Sequence, residues 1–143
     1  MPGIVCAIRG GPASQATIEK SIELAQESGQ AIYFLYVVNL DFLSRSTSSK
    51  TERIHRDIKE MGEFILLDAR EKAHQQGAQA EMVIKDGQVG EQIIDLTQEL
   101  DAQYIVLGKP VHDNENNLFS RKKYQDFVDH LSQETQADVI LSS

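Results

Sequence analysis

Arg9, Lys85 and Lys109 each stand at or just past the end of a short apolar run, and Arg121-Lys122-Lys123 opens the last helical stretch. Cations gathered at one edge of a sheet suit anion recognition, because low-dielectric walls focus their field on a phosphate or carboxylate. The competing reading is that they are solvated or pair with neighbours such as Asp86, Asp113 and Glu115. Other chemistry is thinner. His55, His74, His112 and His130 share no metal-ligand spacing with one another or with Cys6. His55 and His74 fall in a helical pattern and read as surface residues. His112 lies beside Asp113, but spacing pairs no nucleophile with it. Cys6 sits inside an apolar run and reads as a small buried side chain. Ser120 and the serines of 44–49 read first as helix-capping residues.

Motifs are more informative by their absence. Gly10-Gly11-Pro12-Ala13-Ser14 does not supply the G-x-G-x-x-G of a dinucleotide site, and no G-x-x-x-x-G-K-[ST] occurs. A phospho-receiver site needs carboxylates where Arg9 stands. One cysteine excludes a C-x-x-C redox pair, an internal disulfide framework and a cysteine-based zinc site.

These residues need a scaffold, and the apolar pattern provides one. Continuous runs at Ile4–Ile8, Ala31–Val38, Ala80–Ile84, Tyr104–Leu107 and Ala137–Leu141 suit strands buried on both faces of a parallel sheet. Helical stripes separate them. Ile18, Ile22 and Ala25 share one face. Ile54, Ile58, Met61, Ile65, Ala69 and Ala73 share another. Val89, Ile93, Leu96 and Leu100 form a third, and Tyr124, Phe127, Val128 and Leu131 a fourth. Ser49-Lys50-Thr51-Glu52 has capping-box spacing. Gly29 and Gly77 stand where left-handed C-caps belong. The order is therefore β-α-β-α-β-α-β-α-β, in a single domain over 1–143, with right-handed crossovers. Ligands in such sheets bind beyond the strands' carboxyl ends. That places the search at Arg9-Gly10-Gly11, Val38-Asn39, Lys85-Asp86-Gly87 and Gly108-Lys109-Pro110.

The pieces in that order resemble the universal stress protein family over nearly the whole chain. The first strand, small-residue turn and helix are IVCAIRGGPASQATIEKSIELA. AIYFLYVV is similar to the second strand, MVIKDGQVGEQIIDLTQELDAQ to the third strand with its glycine and helix, YIVLG to the fourth strand and ADVILSS to the last. The resemblance implies an α/β fold: a five-stranded parallel sheet of order 3-2-1-4-5 with helices on both faces, Rossmann-like and adenine-nucleotide alpha-hydrolase-like. ATP-binding members use G-x2-G-x9-G-[ST] after the fourth strand, where glycines let backbone amides reach phosphates. Gly108 matches the first glycine. Val111 occupies the second position, and the later spacing reaches Arg121-Lys122. Arg9 replaces the aspartate that contacts the nucleoside in those relatives. Val37, Leu107 and Gly108 match positions lining the adenine pocket.

The expected site is thus Arg9, Gly10, Val37, Gly87, Leu107, Gly108, Lys109 and Val111, with no catalytic or metal-binding residue. The reading is a dimeric stress-response regulator without normal ATP binding. The alternatives are an AMP-, ATP- or other anion-binding sensor using Arg9 and Lys109 with at most slow ATP hydrolysis, an unrelated anion-binding enzyme, and an interaction module for an unknown protein partner.

Charge bounds the partners. Fourteen basic and 22 acidic residues give a formal net charge of −8, which disfavours nucleic acid and anionic membrane surfaces. No apolar run reaches the ~20 residues of a membrane span, and the first residues lack a signal-peptide pattern. A cytoplasmic location is expected. The last strand, Asp138-Val139-Ile140-Leu141, has no helix after it to shield its edge. Edge-strand physics and the family resemblance together predict a homodimer through that strand.

Overall fold

The computed structural model describes residues 3–11, 13–39, 48–108 and 118–142. Nine elements alternate: β1 Ile4–Ala7, α1 Ala13–Ser28, β2 Ile32–Val38, α2 Ser48–Gln75, β3 Ala80–Asp86, α3 Val89–Leu100, β4 Tyr104–Gly108, α4 Leu118–Thr135 and β5 Asp138–Ser142. The strands form one parallel sheet in the order β3-β2-β1-β4-β5, the topology the family resemblance implies.

Alternation along the central strands sends side chains into two cores. Ile4 and Cys6 of β1, with Ile32 and Phe34 of β2, meet Ile18, Ile22 and Ala25 of α1 and Leu66, Ala69 and Ala73 of α2. Val5 and Leu35 face the other way, onto Ile93 and Leu96 of α3 and Leu131 of α4. Helices therefore cover both faces. Burying both faces of β1 explains its unbroken apolar run: Ile4, Val5 and Cys6 are all at 0% exposure.

Three local expectations need correction. β3 is an edge strand, so most of its side chains are only half-buried, and it extends to Asp86 beyond the apolar run. α2 begins at Ser48, two residues before Lys50, where a capping box over Ser49–Glu52 would start it. The apolar spacing puts Met61 on the buried stripe of α2, but it is 58% exposed, while Gly62 and Leu66 lie inside. At Gly62 a Cβ would fall 2.5 Å from the Tyr36 ring, so the missing side chain is what lets α2 lie close on β2. That contact rotates the helix away from the orientation that large apolar residues alone suggest. Gly29 and Gly77 do take left-handed φ values of 73° and 83° at the ends of α1 and α2.

Candidate functional site

Strand order reverses between β1 and β4, where the chain crosses to opposite sides of the first strand. A crevice opens there with a volume of about 550 Å³. Its floor is Ala7, Leu35 and Leu107 at the strand ends, and its walls are Ile58, Val89, Ile93 and Phe127. Polar atoms come from Ser14, Thr17, Asn39 and Tyr124. Among the described lining residues Arg9 is the only charged side chain.

The β1–α1 turn positions that cation. Gly10 has a φ of 89°, a left-handed conformation that a side chain would strain, and its Cβ would strike Ile65 Cδ1 at 2.6 Å. Gly10 N–H donates to Ser14 Oγ at 2.9 Å, and Ser14 N–H donates to the Gly11 carbonyl at 3.1 Å. The turn is thus fixed from within, and Arg9 projects from it exposed. No carboxylate lies within ion-pair distance of Arg9 among the described residues.

The opposite wall is tied to β4. Tyr124 hydroxyl donates to the Gly108 carbonyl at 2.7 Å. Burial pushes the Tyr124 hydroxyl above its ordinary range, and Arg9 pulls it partly back. The ring hydroxyl is therefore a neutral donor at ordinary pH. Ser142 Oγ donates to the Leu107 carbonyl at 3.3 Å and lies 2.8 Å from Thr17 Oγ1. Either hydroxyl of the Thr17–Ser142 pair can be the donor. A Cβ at Gly108 would fall 2.8 Å from Thr17 Oγ1, so glycine is what permits α1 to close on β4 here.

The expected site residues separate into three groups. Arg9, Gly10, Val37, Leu107 and Gly108 come together on the crevice. Gly87 is exposed in the β3–α3 turn beside Gln92 and is absent from the described lining. Lys109 and Val111, like His112, Asp113 and Glu115, fall outside the described residues. Among the described strand-end cations, Lys85 has an ion-pair partner. Lys85 Nζ is engaged by Glu99 of α3 at 3.2 Å, and Asp86 is engaged by His55 of α2. Asn39, at the searched end of β2, also lines the crevice, whereas sequence reasoning missed Ser14, Thr17, Tyr124 and Phe127. Ser14 and Thr17 stand three apart on the first turns of α1, which puts them on one helix face; Tyr124 and Phe127 repeat that spacing on α4.

Among the described residues no group of three or more His, Cys, Asp or Glu is placed to hold a metal ion. None of their helices is long and apolar enough to cross a membrane.

Geometry of this kind defines a doubly wound α/β protein with a crevice at its topological switch point. A model of the universal stress protein family matches residues 2–139, and the chain belongs to that family. It is 28% identical over 115 residues to the universal stress protein YxiE of Bacillus subtilis, covering 73% of this chain and 76% of that one. The fold is similar to that of the universal stress protein UspA from Lactobacillus plantarum, with a TM-score of 0.76, 16% identity and coverage of 99% and 97%. It is similar also to the universal stress protein from Archaeoglobus fulgidus in complex with dAMP, with a TM-score of 0.67, 16% identity and coverage of 100% and 98%.

Proposed function

We propose that this chain is a regulatory, non-catalytic stress-response protein whose crevice takes a small organic anion, with a nucleoside monophosphate as the class that fits. One observation carries the reading: a largely apolar crevice with a few hydroxyls, in which the only charge among the described lining residues is the cation of Arg9. Such a site favours a flat apolar body carrying one anionic group. A guanidinium offers a planar fork to a phosphate or carboxylate. Carboxylates to hold the divalent ion of a metal-triphosphate are missing from the described lining. Val111 and Arg121 stand where ATP-binding relatives have glycines, and Lys122 where they have Ser or Thr, which supports the same direction. The Archaeoglobus fulgidus relative is in complex with dAMP, and two other family structures hold cAMP and AMP. The protein acts as a cytoplasmic homodimer through β5 in this reading.

Calorimetric titration at low salt with AMP, ADP, ATP and cyclic AMP, each with and without magnesium, tests it. AMP or cyclic AMP should bind more tightly than ATP, without a magnesium requirement. Arg9→Ala should weaken that binding by about tenfold or more, the value of one charge-assisted contact. Magnesium-dependent ATP binding tighter than that of AMP would overturn the reading, as would silence from every ligand.

A further inference from the structure

The three exposed large hydrophobic residues among those described all lie on α2: Met61 at 58%, Phe64 at 75% and Leu67 at 40%. Their spacing of three places them within an arc of about 120° centred on Phe64, at 100° per residue. The inner face of the same helix is spent on the core through Leu66, Ala69 and Ala73. The ridge is therefore a second apolar face and no part of the crevice. Contiguous exposed apolar surface rimmed by polar groups marks a contact site.

The rim states what would cover it. Between residues 57 and 71 every charged residue within about 60° of Phe64 is acidic: Asp57, Glu60, Asp68 and Glu71. Asp68 is the one of these with an ion pair among the described residues, to Lys72 at 3.0 Å. A second copy is a poor match. Antiparallel two-fold pairing centred on Phe64 would set Asp57 against Glu71 and Glu60 against Asp68, like charge on like. An anionic bilayer is repelled by the same carboxylates. A helix with apolar residues at i, i+3, i+4 and i+7, flanked by Lys or Arg, satisfies both the ridge and the rim.

We infer that the Met61–Phe64–Leu67 ridge of α2 is a docking surface for a basic amphipathic helix of a partner protein. α2 packs on β2 and β3. It thus lies toward the sheet edge opposite β5, so such a partner and a β5-linked dimer would not compete.

Two synthetic fluorescein-labelled helices of about 14 residues provide the probe, with the same leucine stripe. One is flanked by lysines and the other by glutamates. Fluorescence anisotropy should show the whole protein binding the lysine peptide and not the glutamate peptide. Phe64→Ser should weaken binding about tenfold or more with an unchanged thermal melt, because the ring is exposed. Glu60→Lys with Asp68→Lys should weaken the lysine peptide similarly and confer binding of the glutamate peptide. Glu19→Lys with Glu23→Lys on α1 should change the lysine-peptide affinity less than twofold. Equal binding of both peptides, no effect of Phe64→Ser, or equal loss from the α1 reversal would overturn the inference. So would a change in oligomeric mass of the protein alone on Phe64→Ser, which would assign the ridge to a second copy.

Discussion

Arg9 is the one charged side chain among the described residues that line the crevice. At the end of β1 the backbone turn is fixed by Gly10 and Ser14 whatever precedes it, so the side chain at position 9 is free to set the charge of the crevice. Its identity and location were both legible, because the end of an apolar run in a parallel sheet has one possible neighbourhood. Tyr124 was not legible as a site residue. Its helical stripe marked it as core, and only the tertiary packing of α4 brings its hydroxyl to Gly108. Lys85 failed for the complementary reason: a strand-end cation found a partner, Glu99, from a helix no local pattern could orient. Cys6 behaves as its surroundings dictate. Fully buried between Phe34 and Val106 on the neighbouring strands, its thiol is pushed up to about 12 chiefly by burial. An unfolded thiol titrates near 8.5. A raised folded value means the stabilisation is whole below the unfolded value and is lost as pH climbs towards the folded one. Denaturant melts between about pH 8.5 and 12 should therefore show a steeper stability loss for the wild type than for Cys6→Ala. In the native state at pH 8, a thiol reagent should leave Cys6 unmodified.

The sequence marks the elements more plainly than their ends. Each helix has a buried stripe close to the one its sequence displays, because a 3.6-residue period survives whatever the tertiary context. The exception is α2, where the absent side chain at Gly62 governs the helix's rotation and turns Met61 outward. Helix stops divide the same way. Glycine announces the ends of α1 and α2, but α3 and α4 end at Asp101 and Gln136, with φ values of 52° and 60°. A side chain in the left-handed region costs roughly 1–2 kcal/mol, and Asp tolerates it better than Gln because a short polar side chain can bond locally. Gln136 is thus a strained stop that nothing in its type reveals. Gln136→Gly should relieve that strain and lose part of the gain to chain entropy. Equilibrium denaturation should show a stabilisation of about 0.5–1 kcal/mol, whereas Gln136→Val should destabilise.

At the scale of the whole molecule, the sheet has two edges: among the described residues β3 pairs only with β2 and β5 only with β4. α2 packs on β3, and α1 and α4 pack on β5. Asp138 N–H donates to the Gln103 carbonyl, so the amides of Ile140 and Ser142 also point towards β4. The amides of Val139 and Leu141 point outward, a row of donors able to pair with another chain. A copy related by a two-fold axis would meet this edge antiparallel, donor to acceptor, and would extend both cores, since Val139 and Leu141 pack on one face and Ile140 on the other. That geometry yields a selective test of the dimer. Proline is tolerated in an edge strand where its missing N–H would face away from the sheet. Val139→Pro removes an outward donor and spares the ladder to β4, so it should convert the dimer to a folded monomer in sedimentation at micromolar concentration. Ile140→Pro strikes the inward ladder and should instead lower the thermal midpoint sharply. A wild type that sediments as a monomer, or a Val139→Pro variant that stays dimeric while folded, would remove the strand-paired dimer. Thr17 would then gain added interest, because its hydroxyl joins the crevice to Ser142 at the end of that same strand.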